Sequence, residues 1–226
     1  MNPFKAFLFL VLNLILFTTI NAQSNTVPEV KGWYFRAVSG YPISVTFEPV
    51  VLFKNGTYLE ATEAPLEEIN FSESKKNDAN LWGTWKRNDD LFTLTNHEGK
   101  SREYNLDSGN WFPAFPFDRS ITLKGTYEKI SGGNFGNGLY SLFKSEIVFL
   151  DSSHFTQAKE SGITSYGSSA WKNSKDSGTY SIDKNTITFT YNDGRTMRLS
   201  FAIGAEGDNV INTDMIFIGG KTYVIE

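Results

Sequence analysis

GTYSIDKNTITFTYNDGRTMRLSF, residues 178 to 201, is the stretch from which the fold can be read. Ile187, Phe189 and Tyr191 alternate with Thr186, Thr188 and Thr190, so one face is apolar and the other hydroxylated. A period of two is strand geometry, because successive side chains of a strand point to opposite faces. Asp193-Gly194 follows, a dipeptide suited to a tight hairpin because glycine accepts positive φ. Beyond it Met197, Leu199 and Phe201 alternate again, which predicts a second strand running back beside the first.

The same stretch occurs earlier in the chain. Gly83-Thr84-Trp85 through Leu106 aligns without a gap to Gly178-Thr179-Tyr180 through Phe201, at a constant offset of 95. Phe92 matches Ile187, Leu94 matches Phe189, Thr95 matches Thr190, Gly99 matches Gly194 and Lys100 matches Arg195. Ile121 and Gly125 extend the match to Ile216 and Gly220. With small shifts, Leu52 to Tyr58 matches Phe149 to Phe155, and Gly32-Trp33-Tyr34-Phe35-Arg36 matches Gly125-Thr126-Tyr127-Glu128-Lys129. The chain is thus read as two diverged copies, 23–130 and 131–226, forming one domain or else two small tandem ones, with glycine-rich Ser131 to Gly138 as the joint.

Each copy predicts about six short strands joined by hairpins, roughly a dozen in all, which argues for an all-β antiparallel barrel or a pair of packed sheets. Closure would remove exposed sheet edges. Helix is scarce; Glu63 to Ser74 has room for one or two turns. The hairpin Leu52 to Tyr58, then Gly-Thr-(Trp or Tyr), a Thr-rich strand and an acidic-Gly turn at Gly83–Gly99 and Gly178–Gly194 together resemble secreted bacterial lipocalin-like β-barrel proteins. A lipocalin opens with Gly-x-Trp, whereas this chain opens with Gly32-Trp33-Tyr34 and carries Gly83-Thr84-Trp85 mid-chain. Thr213-Asp214 is similar to the lipocalin Thr-Asp motif. The resemblance implies a barrel with a ligand cavity and leaves the ligand open.

Residues 1–22 read as a secretory signal peptide: Lys5, an apolar run from Ala6 to Phe17 interrupted by Asn13, and Ile20-Asn21-Ala22 as a cleavage site before Gln23. The apolar run is shorter than the roughly 20 residues of a membrane span. The expected location is therefore secreted or periplasmic, with no membrane span after signal removal. There is no cysteine, so neither a disulfide nor a cysteine-linked lipid anchor is available. Net charge is −4 at pH 7 and no basic stripe interrupts it, which argues against a nucleic-acid partner.

Trp111-Phe112-Pro113-Ala114-Phe115-Pro116-Phe117 has no counterpart in the second copy, where the aligned residues from Glu206 to Asn212 are polar. Four aromatics on a proline-stiffened backbone could line a barrel mouth, stack on sugar rings, or close an open end as ordinary core. The ligand-binding candidates are accordingly Trp111, Phe112, Phe115 and Phe117, with Trp33 and Trp85 as further lining; Trp82 and Trp171 are read as core. His97 and His154 fall at hairpin turns, and two isolated histidines without cysteine make no metal site. Glu67-Glu68, Asp89-Asp90 and Asp176 could furnish a carboxylate pair for glycoside hydrolysis, or simply be solvated at strand ends. No catalytic residue or cofactor is assigned. The expected function is non-catalytic binding of a small apolar or amphipathic molecule. The alternatives are a glycan- or protein-interaction module using Trp111 to Phe117, and a carbohydrate- or lipid-active enzyme.

Overall fold

The computed structural model describes residues 27–38, 46–60, 63–134, 140–165, 168–206 and 210–226; the export signal expected at 1–22 lies outside them. The protein is all-β and antiparallel. The first seven strands are β1 (Val30–Val38), β2 (Thr46–Phe53), β3 (Thr57–Glu60), β4 (Trp82–Asn88), β5 (Leu91–Asn96), β6 (Ser101–Asn105) and β7 (Trp111–Ala114). They form one sheet in the order β6-β5-β4-β3-β2-β1-β7. The next eight are β8 (Gly125–Asn134), β9 (Tyr140–Phe149), β10 (His154–Ser165), β11 (Ser168–Asp183), β12 (Thr186–Tyr191), β13 (Thr196–Glu206), β14 (Val210–Ile218) and β15 (Lys221–Ile225). Those eight close on themselves as a barrel, with β9 paired to β10 and β15 to β8.

The two units repeat one another, but they divide between β7 and β8, whereas the expected boundary at 130/131 falls within β8. Register equates them strand for strand: Arg36 faces Glu48 across β1–β2 as Lys129 faces Ser145 across β8–β9, and Tyr58 faces Gly83 as Phe155 faces Gly178. Turns repeat as well. Asp89 and Lys184, 95 residues apart, both adopt positive φ (52° and 51°), and so do Gly99 and Gly194 (79° and 89°). Even a side-chain bond recurs in kind, since Trp85 donates Nε1–H to Phe53 O at 2.9 Å and its counterpart Tyr180 donates its hydroxyl to Asp151 O at 2.8 Å.

The copies differ in how they end. The second adds the hairpin β14–β15, which fills the gap between β13 and β8 and closes the cylinder. The first has only the four-residue β7 beside β1. Its sheet nonetheless curls. β6 and β7 are opposite edges of seven strands, a flat width of roughly 29 Å at ~4.8 Å per strand, while the link from Asn105 to Trp111 reaches at most about 20 Å. Asn110 holds this near-closure by accepting the Asn105 amide on its side chain (3.3 Å) and the Ala37 amide on its backbone carbonyl (2.8 Å).

Three expectations need correction here. Among the described residues the strands number fifteen, seven and eight, against about six per copy. Ser131 to Gly138 is not the joint, because residues 131–134 belong to β8 and pair with residues 140–143 of β9. The match of Ile121 and Gly125 to Ile216 and Gly220 has no structural counterpart: Ile121 lies in the link between the units and Gly125 opens β8, whereas Ile216 is inside β14. The cause is visible in Pro113 and Pro116, which lack the N–H donors that would extend β7.

Beyond β7 the chain turns onto the barrel. Phe115 exchanges both backbone bonds with Ile203 (2.7 and 2.8 Å), and the Phe117 amide donates to Lys184 O (2.9 Å). Phe117, Ile121 and buried Leu123 then pack against the barrel core and close its base. The outward faces of the units meet around Trp33, Phe35, Val51, Ala202 and Phe217, with Trp33 and Phe35 6.2 and 6.5 Å from the Phe217 ring. The expected short helix is present as α1 (Phe71–Asn77), capped by Asn70, which accepts from Glu73 N at 3.2 Å. Its Phe71 sits edge-on to Phe53 and Trp82.

Candidate functional site

Inside the barrel, alternate positions of each strand point to the axis, and along each strand the inward residues change from base to mouth. On β10 they are Phe155, Gln157 and Lys159; on β8, Tyr127 and Lys129; on β15, Tyr223 and Lys221. The lower part is solid, packed with Tyr127, Phe149, Phe155, Tyr180, Ile187 and Phe201. Above them the interior opens into a pocket of about 500 Å³.

Its wall has three zones. The floor is apolar, formed by Ile147, Phe189, Met197, Leu199 and Ile218. A polar belt follows, in which Tyr191 donates its hydroxyl to Gln157 Oε1 at 3.2 Å and the Ser145 and Tyr223 hydroxyls lie 3.2 Å apart. Burial pushes the Tyr191 and Tyr223 phenols above their ordinary range, so both stay protonated at neutral pH. At the mouth stand Lys129, Lys144, Lys159, Lys172 and Lys221, against the two carboxylates Glu63 and Glu160. Lys144 is paired with Glu128. Among the described residues no carboxylate pairs with Lys129, Lys159, Lys172 or Lys221. Lys129 is half-buried, and burial followed by repulsion from Lys221 pulls its ammonium below the usual lysine range.

The first unit shows what this interior looks like when filled. Trp111 is fully buried there, stacked on Tyr34 at 4.8 Å and 5.3 and 5.1 Å from Phe92 and Tyr104. Tyr104 stands where Leu199 lines the barrel pocket, and Phe92 where the barrel has Ile187. A smaller hollow of about 230 Å³ remains between Arg36, Glu60, Arg102 and Tyr104. There Arg36 is neutralised by Glu48 (2.9 Å) and Glu60 (2.8 Å).

No family model, no curated protein and no solved structure matches the chain.

None of the six aromatics expected to bind a ligand lies on the barrel pocket. Trp111 and half-buried Trp85 belong to the first unit's interior, while Trp33 and Phe112 pack in the seam between the units. Phe115 is bridged to Ile203 and Phe117 packs at the base, 6.3 Å from Phe201. The segment closes an end as core, and Trp111 offers no exposed ring to a glycan or a protein. Trp171, read as core, is 57% exposed and lies across Gly162, where a Cβ would come within 2.5 Å of its ring.

The carboxylates considered for hydrolysis are dispersed, and four of the five are ion-paired. Glu67 and Glu68 hold Arg198 across the seam, Asp90 pairs with Arg87, and Asp176 with Arg195. His97 and His154 are exposed at turns, His154 bonded to Asp151 at 2.8 Å. The lysines at the mouth escaped the sequence reading, although a signal for them exists. Extending the match of Leu52–Tyr58 to Phe149–Phe155 outward at the same spacing sets Glu48 against Ser145 and Glu60 against Gln157.

Proposed function

We propose that this chain is an exported, lipocalin-like container that holds one small amphipathic molecule inside the barrel of β8–β15, without transforming it. The observation that carries the reading is the pocket of about 500 Å³, closed below by Phe117 and Leu123, apolar at its floor and polar at its mouth. That volume falls within the usual range of small-molecule sites, roughly 300–1,000 Å³. Burial supplies the affinity, at ~25 cal/mol for each Å² of apolar surface removed from water, less the cost of immobilising the ligand. Secretion or periplasmic export follows from the leader-like pattern of residues 1–22.

Native mass spectrometry of the chain lacking residues 1–22, purified without detergent and then exposed to an alkyl series, tests this. The expected result is a 1:1 complex that disappears in Leu199→Trp, which puts a large ring where the first unit carries Tyr104. Failure of every alkyl compound to bind, or unchanged binding in a folded Leu199→Trp variant, contradicts the reading.

A further inference from the structure

We infer that the molecule held in the barrel is an anion: a single carboxylate or phosphate head bound by Lys129 and Lys221 at the mouth, with its apolar part on the floor between Phe189, Leu199 and Ile218. This rests on the container reading and adds the class of ligand. The argument comes from comparing the two copies at structurally equivalent positions. In the first unit the interior cation, Arg36, has two carboxylates facing it, Glu48 across β1–β2 and Glu60 on β3. In the barrel the cation is kept as Lys129, but the residue facing it across β8–β9 is Ser145. The residue in the place of Glu60 is Gln157, since Gln157 faces Ile147 as Glu60 faces Val50. Both neutralising charges have been replaced by neutral hydrogen-bonding groups, and a second cation, Lys221, lines the same pocket.

A half-buried ammonium without a counter-ion is unfavourable to the folded chain, and a neighbouring ammonium makes it more so. The first unit, whose interior is filled with aromatic rings, supplies its own counter-charges; the hollow unit does not. A bound anion would complete the barrel's arrangement as Glu48 and Glu60 complete Arg36. The polar belt fits the same ligand, because Gln157, accepting from Tyr191 on Oε1, keeps its amide N–H groups to donate, and the Ser145–Tyr223 hydroxyl pair keeps one O–H beyond the bond between them. Lys159 and Lys172 stand exposed at the rim, where an individual ion pair is weak but the local field attracts an approaching anion. Glu63 and Glu160 on the wall oppose this field, and the lysines outnumber them.

The test compares dodecanoate, dodecyl phosphate, dodecanol and dodecylammonium, each below its micellar concentration, by titration calorimetry on the mature chain. One or both anions should bind at least about tenfold more tightly than dodecanol, dodecylammonium should bind more weakly than dodecanol, and raised salt should narrow the gap. The preference between carboxylate and phosphate identifies the head. In Lys129→Met and Lys221→Met the anion's advantage should shrink to about threefold or less while dodecanol binding is kept. Equal binding of dodecanoate, dodecyl phosphate and dodecanol by the unmodified chain, which requires no variant to fold, overturns the anion proposal and leaves the container standing. Absence of binding by all four overturns the container itself.

Discussion

At the scale of single residues, the duplicated glycines show how tightly the fold is specified. A Cβ at Gly178 would lie 2.0 Å from Thr190 O, and at Gly83 it would lie 2.3 Å from Thr95 O and 2.4 Å from the Tyr58 ring. Backbone oxygen cannot yield as a flexible side chain can. Gly178→Ala is therefore expected to lower stability by about 2–3 kcal/mol in urea unfolding. Gly99→Ala, at positive φ (79°) with nothing within 4 Å, should cost only about 1 kcal/mol. Equal costs at the two sites would refute the steric account. Asp151 organises the turn before β10, accepting the backbone amides of Ser153 and His154 at 2.7 Å each. These bonds, led by the Ser153 amide, hold its carboxyl down to about 2. A folded-state value below the unfolded one, about 3.9, means the stabilisation is present above pH ~4 and is lost as pH falls towards 2. Thermal midpoints between pH 5 and 2 should thus fall more steeply for the native chain than for Asp151→Asn; parallel curves would contradict this. Such residues were half legible. Their spacing of 95 and the turn glycines stand in the sequence, but that Gly83 and Gly178 pass close to a neighbouring carbonyl depends on strand register.

At the scale of elements, β7 and its continuation decide how the two copies diverge. A sequence can show that Trp111 to Phe117 is rich in rings and prolines, but not which way the rings turn, because an aromatic that plugs a sheet and one that displays itself look alike in one dimension. Here the rings turn inward, since the short link from β6 forces Trp111 back across the open side of its own sheet. Truncating it would empty a fully buried site between Tyr34, Phe92 and Tyr104. Trp111→Ala should cost about 3–5 kcal/mol of the first unit's stability while leaving dodecanoate binding unchanged in the variant that remains folded. Loss of binding with stability intact would instead return the ligand to that segment. The glycines at 132 and 133 misled for a related reason. They look like a joint, yet they pair with Leu142 and Ser141, and the joint is residues 115–124, which contain no glycine and two phenylalanines on either side of Pro116.

At the scale of the whole molecule, one ancestral pattern has been folded twice and finished differently. The first copy is short of a closing hairpin and is packed by its own aromatics down to a hollow of about 230 Å³ beside Arg36; the second is closed by β14–β15 and keeps a pocket of about 500 Å³ at one end. Strand period, hairpins and duplication were readable from the residues alone, because they are local or repeat at a fixed distance. Closure and hollowness were not. They depend on whether side chains from eight strands meet across an axis, where Leu199 leaves space that Tyr104 occupies in the other copy. The seam joins the units through Phe217, Trp33 and Phe35 and through the ion pair of Arg198 with Glu67 at 2.9 Å, on the outward side of strands whose inward side chains line the pocket. The first unit reaches the pocket wall through Glu63, so any effect of the ligand on that unit is expected there. Backbone amide NMR during titration of the mature chain with dodecanoate tests the central claim most directly. Shifts are expected at Lys129, Ser145, Gln157, Tyr191, Leu199 and Tyr223, with residues 30–60 and 66–114 unmoved; shifts centred on Trp111 to Phe117 or around Arg36, or none at saturating ligand, would contradict it.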